Sequence, residues 1–145
     1  MPRSQQIAPL LPFLRRYARA LTGSQDSGDA FVVATLEAVL ADPDALPPDE
    51  AIRVSLYRLF HGIWSSSNVS EHSAGDIPSD AEGTAQARLQ SLVPERRQAL
   101  LLTALEGFTA EQAGKILGRT TEQVVDLAAQ AMSDITRDIR TEVLI

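Results

Sequence analysis

"GRTTEQVVDLAAQAMS", residues 118–133, has the layout of the second helix of a helix-turn-helix. Gly118 turns the chain. Thr120-Thr121-Glu122-Gln123 is a capping box, in which a hydroxyl and a side-chain amide satisfy backbone N–H groups at the helix start. Val124, Ala128 and Ala131 follow at helical spacing. Just upstream, Thr109-Ala110-Glu111-Gln112 is a second capping box, with Ala113, Ile116 and Leu117 behind it. Two capped helices across a short glycine turn predict a helix-turn-helix, whose second helix ordinarily enters a DNA groove. The charges oppose that use. No Lys or Arg occurs from 120 to 136, whereas Glu122, Asp126 and Asp134 do. Affinity for phosphates comes largely from cations.

The whole chain repeats the conflict. It has 145 residues and a formal net charge of −6, so duplex DNA is a poor partner. Apolar residues make up 44%, enough for a core in one compact domain or two small helical ones. No Cys occurs, which excludes a disulfide scaffold and thiolate metal sites and fits a reducing compartment. No apolar run reaches 18 residues, so no membrane span or membrane partner is expected. Pro9 and Pro12 interrupt any signal-peptide pattern, and a cytoplasmic location follows as the expectation. Twelve of the 13 basic residues are Arg, a bias that a GC-rich genome or a use in fixed ion pairs would explain.

Strand signals are nearly absent, and the expected class is all-α. Leu11, Leu14, Ala18 and Leu21 line one helix that Gly23 stops. Val32, Leu36, Val39 and Leu40 line a second, which ends before Asp42-Pro43. Ile52, Leu56, Leu59, Phe60 and Ile63 line a third, opened by Pro47-Pro48-Asp49. Residues 1–64 therefore read as a three-helix unit. The stretch 65–83 holds six Ser and only two large aliphatics, Val69 and Ile77, and reads as a flexible linker. Residues 84–140 read as a second unit. It has a short helix on Ala85, Leu89 and Leu92, another opened by Pro94, a turn at Glu106-Gly107-Phe108, and then the helix-turn-helix. The closing "TEVLI" (141–145) has the composition of a strand.

Nothing converges on catalysis, a metal or a cofactor. His61 lies on an apolar helix as packing or a surface tip, and His72 with Asp76 and Asp80 has no recognised ligand spacing. Trp64 reads as core or hinge. Arg15, Arg16 and Arg19 read as a solvated face or as pairs for a partner's acids.

"LVPERRQALLLTALEGFTAEQAGKILGRTTEQV" (92–124) resembles region four of extracytoplasmic-function sigma factors, through its Leu-x-Pro-x-x-Arg, Glu-Gly-Phe-Thr and Ile-Leu-Gly landmarks. "FLRRYARALTGSQDSGDAFVVATLEAVL" (13–40) and "SLYRLFHGIW" (55–64) resemble region two. The resemblance implies a sigma2-like and a sigma4-like unit in that order. It also exposes three departures. Basic positions of the region-four reading helix are here Val125, Leu127 and Gln130, and its Ser is Asp126. The polymerase-contact stretch of region two is here "AFVVATL" (30–36), with Val33 and Ala34 in place of a polar pair. The basic, aromatic continuation after "SLYRLFHGIW" is replaced by serines. The fold landmarks stand while the residues for DNA and polymerase are gone, which describes a sigma-factor mimic.

"QQIAPLLPFLRRYARALTGSQDSGDAFVVATLEA" (5–38) resembles the sigma-like domain of PhyR-type general stress response regulators of alphaproteobacteria. The resemblance implies an anti-anti-sigma factor that works by partner switching. It would bind a NepR-type anti-sigma factor and release an EcfG-type sigma factor, without productive contact to DNA or core RNA polymerase. In such regulators a C-terminal receiver domain controls the switch by phosphorylation. "TEVLI" resembles the start of its first strand cut short, so the chain is expected to lack the receiver and to bind without phosphorylation. The expected contacts to anti-sigma factor or receiver are Val33, Leu36 and Glu37 in the first unit and Val125, Asp126, Leu127 and Gln130 in the second. Helix phase leaves Val33 and Leu127 open between contact and core. The expected mode is an amphipathic helix in a groove between the units. The alternative reading is a DNA-binding sigma factor or helix-turn-helix regulator of unusual charge.

Overall fold

The structure is a computed structural model, and it describes residues 3–68 and 94–144. Its regular elements, among the described residues, are all helical. Helices α1 (Arg3–Ile7), α2 (Leu11–Thr22), α3 (Gln25–Ala41) and α4 (Ile52–Asn68) form the first unit, with short 3-10 turns at Ala8–Leu10 and Pro43–Ala45. Helix α5 (Pro94–Leu100), a π-helical turn (Leu101–Leu105), α6 (Ala110–Leu117) and α7 (Thr121–Leu144) form the second.

Local chemistry sets the boundaries where the sequence indicates. Gly23 closes α2 in the left-handed region and donates its N–H to the Arg19 carbonyl at 2.9 Å. Ser24 then opens α3, its hydroxyl accepting from the Ser27 N–H at 3.2 Å. Helix α3 crosses α2 so closely at Gly28 that a Cβ there would stand 2.8 Å from the Arg19 nitrogen. Both capping boxes form. Thr109 pairs reciprocally with Gln112, and Thr120 with Gln123. Gly118 turns the chain between α6 and α7.

The two units share one core. Leu14, Tyr17, Leu21, Val32, Leu56, Tyr57 and Phe60 from the first are continuous with Leu102, Phe108, Ala113, Ile116 and Val124 from the second. Helix α4 packs directly on α6, and α2 on the π-helical turn. A smaller cluster of Leu100, Ala131 and Ile135 joins α5 to α7.

Two boundaries differ from expectation. Residues 65–68, expected to begin the linker, continue α4. Buried Trp64 anchors that end, and the Ser66 hydroxyl bonds back to the Ile63 carbonyl at 3.0 Å, so a serine-rich sequence stays helical. Residues 141–144, expected to begin a strand, extend α7. A strand needs a ladder partner, whereas a helix already capped at Thr120 tolerates Thr141 and Val143 at a cost of only tenths of a kcal/mol each. The rest of the expected linker, the expected short helix on Ala85, Leu89 and Leu92, and Ile145 lie outside the described residues.

Candidate partner-binding surfaces

Helix α3 buries Gly28, Val32, Thr35 and Val39. That choice of face turns other apolar residues outward. Val33 is 52% exposed and Leu40 is 75% exposed, seven positions apart, with Glu37 exposed between them. Leu36 is half-buried and packs against the core. Of the open alternatives, Val33 is a surface residue.

Helix α7 repeats the arrangement. Val124 and Ala131 are fully buried. Val125, Met132 and Ile139 are 56%, 52% and 42% exposed and recur every seven residues. Asp126 is exposed beside them, Gln130 is half-buried, and Leu127 is half-buried against the core. Leu127 is therefore a packing residue with one open side. A polar residue would have cost nothing at the exposed positions, so aliphatics recurring there make these helix sides candidate docking surfaces.

Leu40, Met132 and Ile139 extend both stripes beyond the residues singled out in the sequence. The signal for them was present. Each lies seven positions from a residue already named (33 to 40; 125 to 132 to 139), forming an apolar seam beside the core stripe.

The electrostatics of α7 disfavour nucleic acid. Asp134 is fixed by Arg96 at 2.7 Å, which ties α7 to α5, and Arg137 reaches the same carboxylate at 3.6 Å. Glu122 stands in the first turn, where a DNA-reading helix meets the duplex. The arginine run of α2 is engaged within the chain. Arg19 contacts Asp29 through two nitrogens at 3.0 and 2.9 Å, and Arg15 joins at 3.5 Å. The hydrogen bond from Arg19 holds the Asp29 carboxyl below its ordinary range.

Where α2 and α4 of the first unit meet the turn of the second lies a polar node that sequence reasoning missed. The Glu106 side chain is wholly buried where the units meet. Its Oε2 accepts from Arg16 at 2.9 Å, and its Oε1 accepts from the Tyr57 hydroxyl. Arg53 donates to its backbone carbonyl and lies over the Phe108 ring, 4.0 Å from the centroid. Tyr57 meets Phe108 edge-on, with centroids 4.9 Å apart. Burial, with the carboxylate beside it, pushes the Tyr57 phenol far above its ordinary pKa. Gly107 makes this possible, because its φ of +75° turns the chain so that Glu106 and Phe108 both enter the seam.

His61 is also buried, against Tyr17, Phe60 and Trp64. It shares a hydrogen bond with the Tyr17 hydroxyl, and burial lowers its pKa to about 3. His61 and Trp64 are both core residues. His72, Asp76 and Asp80 lie outside the described residues, among which no cluster of three or more potential metal ligands occurs. No helix among the described residues is long and apolar enough to cross a membrane.

Comparison with known proteins agrees with this geometry. Residues 7–61 match the family model for the sigma2 domain of PhyR, and residues 89–138 match that for the sigma-like domain of the response regulator PhyR. The chain is similar to the phyllosphere-induced regulator PhyR of Methylorubrum extorquens. Identity is 43%, over all of this chain and 53% of the relative. It thus spans about half the length of that protein. Among solved structures it is similar to the PhyRSL–NepR complex from Sphingomonas sp. Fr1. There the TM-score is 0.79 and identity 47%, over 94% of this chain and 88% of that one. It is also similar to the anti-anti-sigma factor PhyR complexed with the anti-sigma factor NepR from Bartonella quintana. There the TM-score is 0.76 and identity 39%, over 94% of this chain and 50% of that one. Two sigma-like helical units, in this order, with these landmarks and over this extent, place the chain in the PhyR family, whose sigma-like part it spans.

Proposed function

We propose that this chain is an anti-anti-sigma module, a sigma-factor mimic that binds a NepR-type anti-sigma factor and so releases an EcfG-type sigma factor in the cytoplasm. The observation that carries the reading is the exposed stripe of Val125, Met132 and Ile139 on the helix that would otherwise read DNA. Aliphatic side chains and Asp126 cannot hold phosphate, but they can be covered by an apolar helix. Each large aliphatic fully buried in such an interface contributes about 1.5–3 kcal/mol. A handful on α3 and α7 would support micromolar to nanomolar binding after the costs of association. The similarity to proteins solved with NepR supports the same partner. A receiver domain would compete by covering one of the stripes. The module is a binding protein with no catalytic step of its own.

Calorimetric titration with a purified NepR-type anti-sigma factor tests the reading, beside Val125→Lys/Met132→Lys and Val33→Lys/Leu40→Lys. Tight one-to-one binding weakened in both doubles is expected. Absence of binding by the parent chain, or specific binding of promoter DNA with core polymerase, would overturn it.

A further inference from the structure

We propose that Glu106 is a latch between the two units, and that the latched arrangement is the one competent to bind the anti-sigma factor. The inference rests on the functional reading above for the partner, but not for the latch. Glu106 belongs to the second unit, yet the Arg16 and Tyr57 side chains that donate to its carboxylate belong to the first. Arg16 also reaches the Leu105 carbonyl at 3.5 Å, and Arg53 holds that of Glu106. One turn of backbone is thus gripped from α2 and α4 together.

The local backbone is built to deliver this carboxylate. The π-helical turn closes with the Glu106 N–H on the Leu101 carbonyl and the Phe108 N–H on the Leu102 carbonyl, each at 3.0 Å. Such turns are uncommon and concentrate at functional positions. A buried carboxylate is a poor way to gain stability, since its desolvation offsets much of what its partners return. It is a good way to gain position, because two charge-assisted bonds from different helices admit one geometry.

Position matters because the exposed stripes lie on different units. A partner that covers both must find α3 and α7 in a fixed relation. If the latch holds that relation beforehand, the partner is spared the loss of inter-unit freedom on binding. The carboxylate of Glu106 bonds to Arg16 and Tyr57, neither of which is in a stripe, so Glu106 acts as a positioning residue.

The test uses Glu106→Gln and the milder Arg16→Met, whose parent side chain is half-exposed. The chain has no Cys, so Gln25→Cys and Ser133→Cys accept nitroxide spin labels cleanly, one on each unit. The distance distribution between them is measured without partner. Affinity for a NepR-type anti-sigma factor is measured on unlabelled chains. The expected result is one narrow distance in the parent, a broadened distribution in both variants, and affinity lower by about tenfold, the scale of one lost hydrogen bond to a charged group. A distance distribution unchanged in both variants overturns the latch. Broadened distances with unchanged affinity overturn its role in binding. If the parent does not bind at all, the functional reading fails, and with it the binding half of this proposal. The distances then decide the latch alone.

Discussion

The Tyr57 hydroxyl donates to the Glu106 carboxylate across 49 positions of sequence, joining α4 of the first unit to the turn that precedes α6 of the second. Both groups are buried, so neither has water as an alternative partner. Tyr57→Phe removes the donor and leaves the ring against Phe108. The expected cost is about 1–3 kcal/mol, read as a lower urea midpoint with an unchanged slope. A midpoint equal to the parent's would show that the bond contributes nothing.

Two glycines should respond in opposite directions to the same substitution. Gly107→Ala forces a Cβ into the left-handed region at φ +75° and should cost about 1–2 kcal/mol. Gly62 sits inside α4, and a Cβ there would meet nothing within 4 Å. Gly62→Ala should therefore stabilise by about 0.5–1 kcal/mol. Thermal unfolding of the two variants side by side checks the signs.

His61 makes stability fall with acid. Its pKa is near 6.5 in the unfolded chain and about 3 in the fold, so the unfolded chain takes up the proton first. The contribution of neutral His61 is fully present above pH 6.5 and is lost as pH falls toward 3. Between pH 7 and pH 5 the expected loss is about 2 kcal/mol. The carboxylates titrate as well, so the quantity to measure is the difference in urea-derived stability between the parent and His61→Gln. That difference should shrink as pH drops; a constant difference would assign the acid sensitivity elsewhere.

Val33→Lys, Leu40→Lys, Val125→Lys and Met132→Lys should each leave stability within about 0.5 kcal/mol, because these side chains are exposed. Leu127→Lys, two positions from Val125, should instead cost about 1–3 kcal/mol, since Leu127 packs against the core. Equal losses at Val125 and Leu127 would mean that α7 is rotated about its axis from the position described.

The elements legible in the sequence were those specified by neighbours in the chain. The α2 stop at Gly23 and the capping boxes at Thr109 and Thr120 depend on residues within one turn, so spacing alone locates them. Val33 and Leu127 could not be told apart as surface or core. One residue of phase rotates a side chain by about 100°, and only packing against α2 or α6 settles which face turns inward. The terminal Thr141–Leu144 read as strand from composition, but the helix that reaches it starts twenty residues earlier. Glu106 was visible only as part of a turn. Its partners are 49 and 90 positions away, a separation at which no local pattern operates.

Trp64 is the chain's single tryptophan, buried in the core that both units share, with its ring centroid 6.1 Å from that of His61. Its emission therefore comes from one known place, and a blue-shifted spectrum reports that the core is dry. Opening of the seam would admit water to the indole and shift the emission to the red. Protonation of His61 would place a quenching imidazolium beside it. The fold thus carries its own optical gauge of whether the core around α4 is closed, readable on the unmodified chain.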